Sequence, residues 1–288
     1  MTPAFRYWTA AELDVQLSAR GTVPDIGPFV AEYARLTAAA RASLPCAVGV
    51  PDGPSEPERL DVFPARAGTG PAPVFVYVHG GYWRALDAAD SGFMAETFTA
   101  AGACVVAVNY ALAPAVTMDE IVRQCRAALA WVHANIGAHG GDPARIHVAG
   151  SSAGGHLAAA LAGSGWAPAM GLPDPPVAGA TLLSGLFDLD PVQRGEPNGW
   201  LRMDAAEARR SSPIHALPAA PVPLVVSYAP NETDEFKRQS EIYMAAAAAR
   251  GCPVTFVPCP GTNHFDIVLE LAKPDSALTR AVLAVMDL

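Results

Sequence analysis

The stretch "ARIHVAGSSAGGHLAAALAG", residues 144–163, decides how this chain is read. A short apolar run ends at Gly150, and an alanine- and leucine-rich helical segment starts at Ser152. At the junction, Gly150-Ser151-Ser152-Ala153-Gly154 fits the pattern G-x-S-x-G. A strand that turns this sharply into a helix needs small residues on both sides of the bend, and the bend lifts the central serine above the sheet. The helix N-terminus behind it favours developing negative charge. Ser152 is therefore expected to be a nucleophile. The competing reading is a glycine-rich strand-to-helix turn with a spare serine.

The segments around this bend repeat one rhythm. Short apolar runs at 73–79 ("PVFVYVH"), 104–110 ("CVVAVNY"), 144–150, 177–185 ("VAGATLLSG"), 223–228 ("PLVVSY") and 253–259 ("PVTFVPC") read as strands. Helical patterns at 93–102, 118–136, 152–163, 235–251 and the C-terminus alternate with them, and Gly102 closes the first. Unbroken apolar strands alternating with helices imply a mostly parallel central sheet with helices on both faces, an α/β architecture. "RLDVFPA" (59–65) reads as an early strand and "GVPDGPSEPE" (49–58) as a loop. Two stretches fall outside the rhythm: an N-terminal helical arm at 1–45, and a proline-rich segment at 186–221 with one short helical piece. Long insertions in compact domains often cover active sites. The expectation is one domain over 1–288, with 1–45 and 186–221 forming a small cap.

Composition narrows the function classes. Of 288 residues, 51% are hydrophobic and 16% charged, enough apolar material for a large core. The formal charge of −9 argues against nucleic acid or an anionic membrane surface as the main partner. No apolar run reaches the roughly 18 residues of a membrane span, and no secretion signal is evident. The cysteines, Cys46, Cys104, Cys125, Cys252 and Cys259, are scattered and form no C-x-x-C pair. They read as small hydrophobes in a reduced, cytoplasmic setting. A homodimer is carried as an open expectation.

A nucleophilic serine needs a base. His264, in "PGTNHFDI", follows the last predicted strand, where the base arrives in sheets that carry such a bend. The third member is a carboxylate in the loop after the preceding strand, "APNETDEF". Glu232, Asp234 and Glu235 compete there. Glu235 is expected to begin a helix, and spacing leaves Glu232 and Asp234 open. The stretch "YVHGGYWR" (77–84) ends an earlier strand with two glycines and two aromatics. Gly80 and Gly81 let the backbone turn its amides toward a carbonyl oxygen, so Gly80, Gly81, Tyr82 and Ala153 are the candidate oxyanion donors. His79 is expected to tie this loop in place.

Taken together, "HGGYW", "NYALAP", "GGDPARIHVAGSSAGGHLAA", "SGLFDL", "EARRSSPIHALP", "EFKRQS" and "NHFDI" resemble the kynurenine formamidase (arylformamidase) group of α/β hydrolases. That group is related to the hormone-sensitive-lipase-like esterases, which carry H-G-G-G instead. The resemblance runs from about residue 75 to 275. It implies an acid three positions before the E-F of E-F-x-R-Q-S, which here is Glu232. Two positions depart from the group: Ser151 stands where histidine is frequent, and the acid is Glu where animal members have Asp.

The expected activity is hydrolysis of a small acyl amide or ester through an acyl-enzyme, without metal or organic cofactor. An arylformamidase and a carboxylesterase are the competing forms. A non-catalytic receptor would be expected to have lost Ser152 or His264, and both are present. The expected substrate pocket comprises His79, Tyr82, Trp83, Ser151, Phe187 and Trp200, the aromatics favouring an aromatic substrate.

Overall fold

The computed structural model describes residues 8–68 and 70–288. The first seven positions of the expected N-terminal arm lie outside the described residues. Eight strands form one sheet in the order β1-β2-β4-β3-β5-β6-β7-β8: β1 (Ala47–Pro51), β2 (Arg59–Phe63), β3 (Ala72–Val78), β4 (Cys104–Val108), β5 (Gly141–Ser151), β6 (Gly179–Leu183), β7 (Leu224–Ser227) and β8 (Val254–Phe256). From β4 to β8 every pairing is parallel, whereas β1 with β2 and β2 with β4 run antiparallel. The sheet is thus mostly parallel, as the unbroken apolar runs require. The early strand lies at 59–63 as expected. β1 was not expected, since residues 49–58 read as a loop. It is an edge strand with scattered exposure and a proline at its end, so it carries no apolar run.

The helices are α1 (Ala10–Gln16), α2 (Gly27–Ser43), α3 (Ala95–Ala101), α4 (Met118–Asn135), α5 (Ala153–Ala162), α6 (Asp190–Arg194), α7 (Asn198–Leu201), α8 (Ala205–Arg210), α9 (Asp234–Ala249) and α10 (Ala277–Val285). Period-two alternation divides the core. Val74, Val76 and Val78 of β3 face one cluster with Ile121 and Leu129 of α4, Leu157 of α5 and Phe236 of α9. Phe75 and Tyr77 face the other, with Tyr33 of α2, Phe98 of α3 and Leu278 of α10. Gly102 ends α3 in the left-handed region at φ 104°, as the sequence pattern predicts.

The 186–221 segment holds three short helices, α6 to α8, where one helical piece was expected. Each is too short to show a helical period in sequence. Gln239 of α9 fastens the segment's start: its side-chain oxygen accepts from the amides of Phe187 and Asp188, each at 2.8 Å, and its amide donates to Asp188 O. The arm and the segment touch, because the Glu196 amide donates to Asp14 Oδ1 at 2.6 Å.

Candidate active site

β5 delivers Ser151 and Ser152 to the C-terminal edge of the sheet, and α5 starts immediately behind them. Ser152 stands at φ 58° and ψ −121°, a conformation that costs an ordinary residue strain and persists only where the surroundings enforce it. They do so by close approach. A Cβ on Gly154 would lie 2.1 Å from Val78 O, and one on Gly150 would lie 2.2 Å from Gly154 O. The G-x-S-x-G glycines are therefore demanded by backbone crossing on both flanks. Gly154→Ala is expected to cost about 3 kcal/mol in a denaturant titration, because the obstructing atoms are main-chain oxygens that no rotamer change can move. A midpoint equal to that of the parent chain would contradict this account.

His264 follows β8 on a loop built by its neighbours. Asn263 Oδ1 accepts from the Phe265 amide at 2.8 Å, and Asp266 Oδ1 and Oδ2 accept from the Asn263 amide and side chain at 2.6 and 2.7 Å. Phe236 and Phe265 press edge-on against the imidazole at 4.7 and 5.2 Å between ring centres. The Tyr33 hydroxyl donates to Phe265 O, fastening the loop to α2. Glu232, in the loop after β7, brings Oε1 within 3.3 Å of His264 Nδ1. At that distance the pair is a close contact lying off the line of a well-formed hydrogen bond, and such contacts tighten when substrate binds. The same Oε1 accepts from the Ser184 hydroxyl at 2.5 Å and the Ala229 amide at 3.1 Å.

Ser184, at the end of β6, was missed in the sequence. Its φ of 49° turns the hydroxyl to Glu232, and its only signal was a Ser-Gly pair closing an apolar run. The rival acids lie elsewhere. Asp234 is exposed at the first position of α9. Glu235 is buried but bound to Arg238 Nε at 2.6 Å and Gln239 Nε2 at 2.7 Å. It is the second residue of α9 rather than the first.

The "HGGYW" loop is held in an unusual shape. Gly81, Tyr82 and Trp83 all have positive φ (88°, 54° and 58°). A Cβ on Gly80 would come within 2.7 Å of Ser151 O, so the loop lies directly against the serine turn. Anchors surround it. Tyr82 OH donates to Leu17 O at 2.8 Å, Trp200 Nε1 donates to Tyr82 O at 3.2 Å, and Trp83 O accepts from the Ala113 amide at 2.8 Å. Among the described residues, the amides of Gly81, Tyr82 and Ala153 meet no acceptor. His79 Nδ1 lies 3.0 Å from Gly80 O and its ring stacks on Tyr110 at 4.1 Å. Burial lowers its pKa to about 4, so it stays neutral and ties the loop, as expected.

His156, one helical turn past Ser152, lies on the helix after the serine as the sequence pattern places it, and its contacts became visible only in the structure. Its Nδ1 accepts from Trp83 Nε1 at 3.3 Å, which leaves Nε2 to donate to Ser211 O at 2.7 Å. Burial lowers its pKa to about 4, and the neutral ring suits these two bonds. It joins the glycine loop, α5 and the 186–221 segment at one point. Cys259, near His264 in sequence, is buried, its pKa raised by burial, and its sulfur accepts from Ser227 Oγ at 3.4 Å, in keeping with a small hydrophobe.

A cavity of about 210 Å³ opens over this edge. Ser151, Ser152, His264, Gly80, Gly81 and Tyr82 line it, so the nucleophile and base candidates share one space with the glycine loop. Four of the expected pocket residues do not. Trp83 is fully buried toward α5, Phe187 is fully buried and stacked on Tyr243, His79 lies behind the loop, and Trp200 packs on the far side of Tyr82. The aromatic walls instead come from Tyr33, Tyr77, Tyr82 and Phe265. Residues 186–221 contribute nothing to the lining; they brace the glycine loop from outside, and the N-terminal arm supplies the wall through Ala19, Arg20, Ile26 and Val30.

Comparison with known proteins agrees with this geometry. Residues 75–267 match the family model of the alpha/beta hydrolase fold. The chain is 35% identical over 256 residues to the kynurenine formamidase of Salmo salar, covering 87% of this chain and 85% of that one. A shorter match, 46% over 92 residues, covers 31% of this chain and 28% of the carboxylesterase NlhH of Mycobacterium tuberculosis. The solved hyperthermophilic esterase from Pyrobaculum calidifontis superposes with a TM-score of 0.71 at 22% identity over 96% of each chain, a likeness of fold. A strand-turn-helix serine under a glycine loop, on a sheet of this order, and a relative of this identity over nearly the whole length lead to one assignment: the chain is a hydrolase of the α/β-hydrolase family, in the kynurenine formamidase group.

Proposed function

We propose that this hydrolase is an arylformamidase, cleaving N-formylkynurenine or a similar N-formyl arylamine, with Ser152, His264 and Glu232 as its catalytic residues. The observation that carries the mechanism is the meeting of Ser152, His264 and the Gly80–Tyr82 loop around one small cavity, with Glu232 against the far side of the imidazole. His264 takes the Ser152 proton as Oγ attacks the formyl carbonyl. The amides of Gly81, Tyr82 and Ala153 receive the oxyanion; preorganised donors of this kind are each worth about 3 kcal/mol of barrier. Glu232 holds the imidazole and stabilises its charged form without taking the proton. His264 then protonates the departing arylamine, and a water deprotonated by the same ring releases formate from the formyl-serine.

The substrate half of the reading rests on the Salmo salar relative and on the four aromatic rings around the cavity. In it the arm, which lines the cavity, acts as the cap, and the 186–221 segment, joined to it at Asp14 and Glu196, braces it from outside within one domain. The free cysteines support a reducing, cytoplasmic setting in this reading, and light scattering decides between monomer and homodimer. Among the described residues no helix is long and apolar enough to cross a membrane.

Formate release from N-formylkynurenine, compared with p-nitrophenyl acetate hydrolysis, tests the reading. A kcat/KM for the formamide at or above that for the ester is expected. Fast ester turnover beside a formamide rate at background would establish the second reading, a carboxylesterase on short-chain or aryl esters, which the likeness to the Mycobacterium enzyme favours.

A further inference from the structure

We propose that a second cavity, between α4, α5 and the end of α8, is a binding site for a phosphate group, held by Arg126, Ser211 and Arg210. The cavity is about 170 Å³ and shares no lining residue with the one over Ser152. Val122 and Arg126 line it from one face of α4, Ala160 of α5 closes one side, and Arg210 and Ser211 enter from the end of α8. Nothing in it depends on which acyl compound Ser152 cleaves.

Arg126 is the anchor. Among the described residues it donates no hydrogen bond and meets no carboxylate, and its Nε is buried without an acceptor. A buried guanidinium N–H with no partner is costly, so arginines that go inside are ordinarily matched. Arg41 is matched to Asp61 and Arg238 to Glu235. Burial lowers the Arg126 pKa, with Cys125 and Asp119 acting through space in the other direction. Asp119 also lines the cavity, but its carboxylate is taken: it accepts from Arg210 Nε at 3.0 Å and from Arg210 Nη2 at 2.6 Å. The Arg126 guanidinium lies 5.1 Å from the centre of the Trp166 ring, a stacking that orients its donors. A second orphaned donor is adjacent, since the Trp166 indole N–H is also buried without an acceptor.

Ser211 and Arg210 complete the donor set. The Ser211 carbonyl accepts from His156, and its hydroxyl makes no hydrogen bond among the described residues. Arg210 uses Nε and Nη2 on Asp119, which leaves Nη1. Ser212, the other hydroxyl of the wall, is engaged: it donates to Ala208 O and accepts from the Leu189 amide. Donors on three side chains from two elements outnumber the two oxygens of a carboxylate and suit the three acceptor oxygens of a phosphate monoester. Val122, Ala160, Pro213 and Ala216 make the rest of the wall apolar, which favours a small organic ester over the free ion.

Titration of the full chain with phenyl phosphate, inorganic phosphate and benzoate, at constant ionic strength, tests the site. Trp166 against Arg126 makes intrinsic fluorescence a direct reporter, and a ligand of the folded state raises the melting temperature. Phenyl phosphate is expected to give a saturable change in both, with a Kd about 10-fold below that of benzoate. Inorganic phosphate is expected to bind more weakly than the ester, because it leaves the apolar wall unused; equal affinity would assign the same donors to the free ion. Arg126→Gln is expected to raise the Kd for phenyl phosphate about 10-fold, and Ser211→Ala about 3-fold. No saturable response in the parent chain, benzoate binding as tightly as phenyl phosphate, or an unchanged Kd in Arg126→Gln overturns the site. Binding in the Ser152 cavity instead would survive Arg126→Gln and compete with p-nitrophenyl acetate. Circular dichroism checks the fold of each variant. If Arg126→Gln does not fold, Arg126→Lys, which keeps the charge and loses the fork, carries the comparison with an expected weakening of about 3-fold.

Discussion

Ser152→Ala is expected to lower kcat by about 10⁶-fold, the effect of removing a nucleophile that works as a unit with its base. The same variant should lose all covalent labelling by a fluorophosphonate probe. Two structural points make this sharp. Ser152 is the residue at φ 58° on the bend, and it lines the cavity with His264. Ser151 also lines the cavity, but it is the last residue of β5, paired in the sheet with Leu183, and the bend follows it. Labelling that persists in the Ser152→Ala protein, mapped by peptide mass to Ser151, would show that the wrong serine has been assigned. The substitution removes one oxygen from a residue whose surroundings are set by glycines at 150 and 154, so near-native stability is the expected companion result.

Glu232→Gln is expected to lower kcat by about 10⁴-fold, and Asp234→Asn to change it by less than about twofold. In the first variant the buried imidazolium that forms during the reaction loses its countercharge. The amide can also turn its nitrogen toward His264 Nδ1, which favours the wrong tautomer of the ring. The Ser184 hydroxyl, which now donates to Glu232 Oε1, would report that rearrangement; Ser184→Ala is expected to have a smaller effect in the same direction. Asp234 is exposed at the start of α9, where a carboxylate only complements the helix N-terminus. The opposite order of effects would move the acid to Asp234 and break the link between the Glu232 contact and catalysis.

Much of this was legible in the chain because the relevant patterns are local. The run at 104–110 contains a strand at Cys104–Val108, and 118–136 contains a helix at Met118–Asn135, since buried parallel strands and amphipathic helices write their periods directly into consecutive residues. The serine turn was legible because steric closeness of the two backbones admits only glycine at 150 and 154. β1 was not, because an edge strand with one half-exposed face needs no apolar run. The pocket was the larger miss. Tyr82 and Trp83 are adjacent, yet one lines the cavity and the other turns into the core to meet His156. Which way each goes depends on φ values set by Leu17, Ala113 and Trp200, all distant in sequence.

The sequence alone therefore determined the fold and singled out Ser152, His264 and the glycine loop as candidates, because each is a local pattern with its own steric or periodic signature. Spacing left Glu232 and Asp234 open and the family resemblance pointed to Glu232; the tertiary structure buries Glu232 against His264 and leaves Asp234, two residues away and alike in chemistry, in solvent. It alone also gave the cavity its walls. Residues 19–33 reach the glycine loop and the His264 loop only when the arm folds back across the sheet edge, a long-range contact with no periodic trace in the chain.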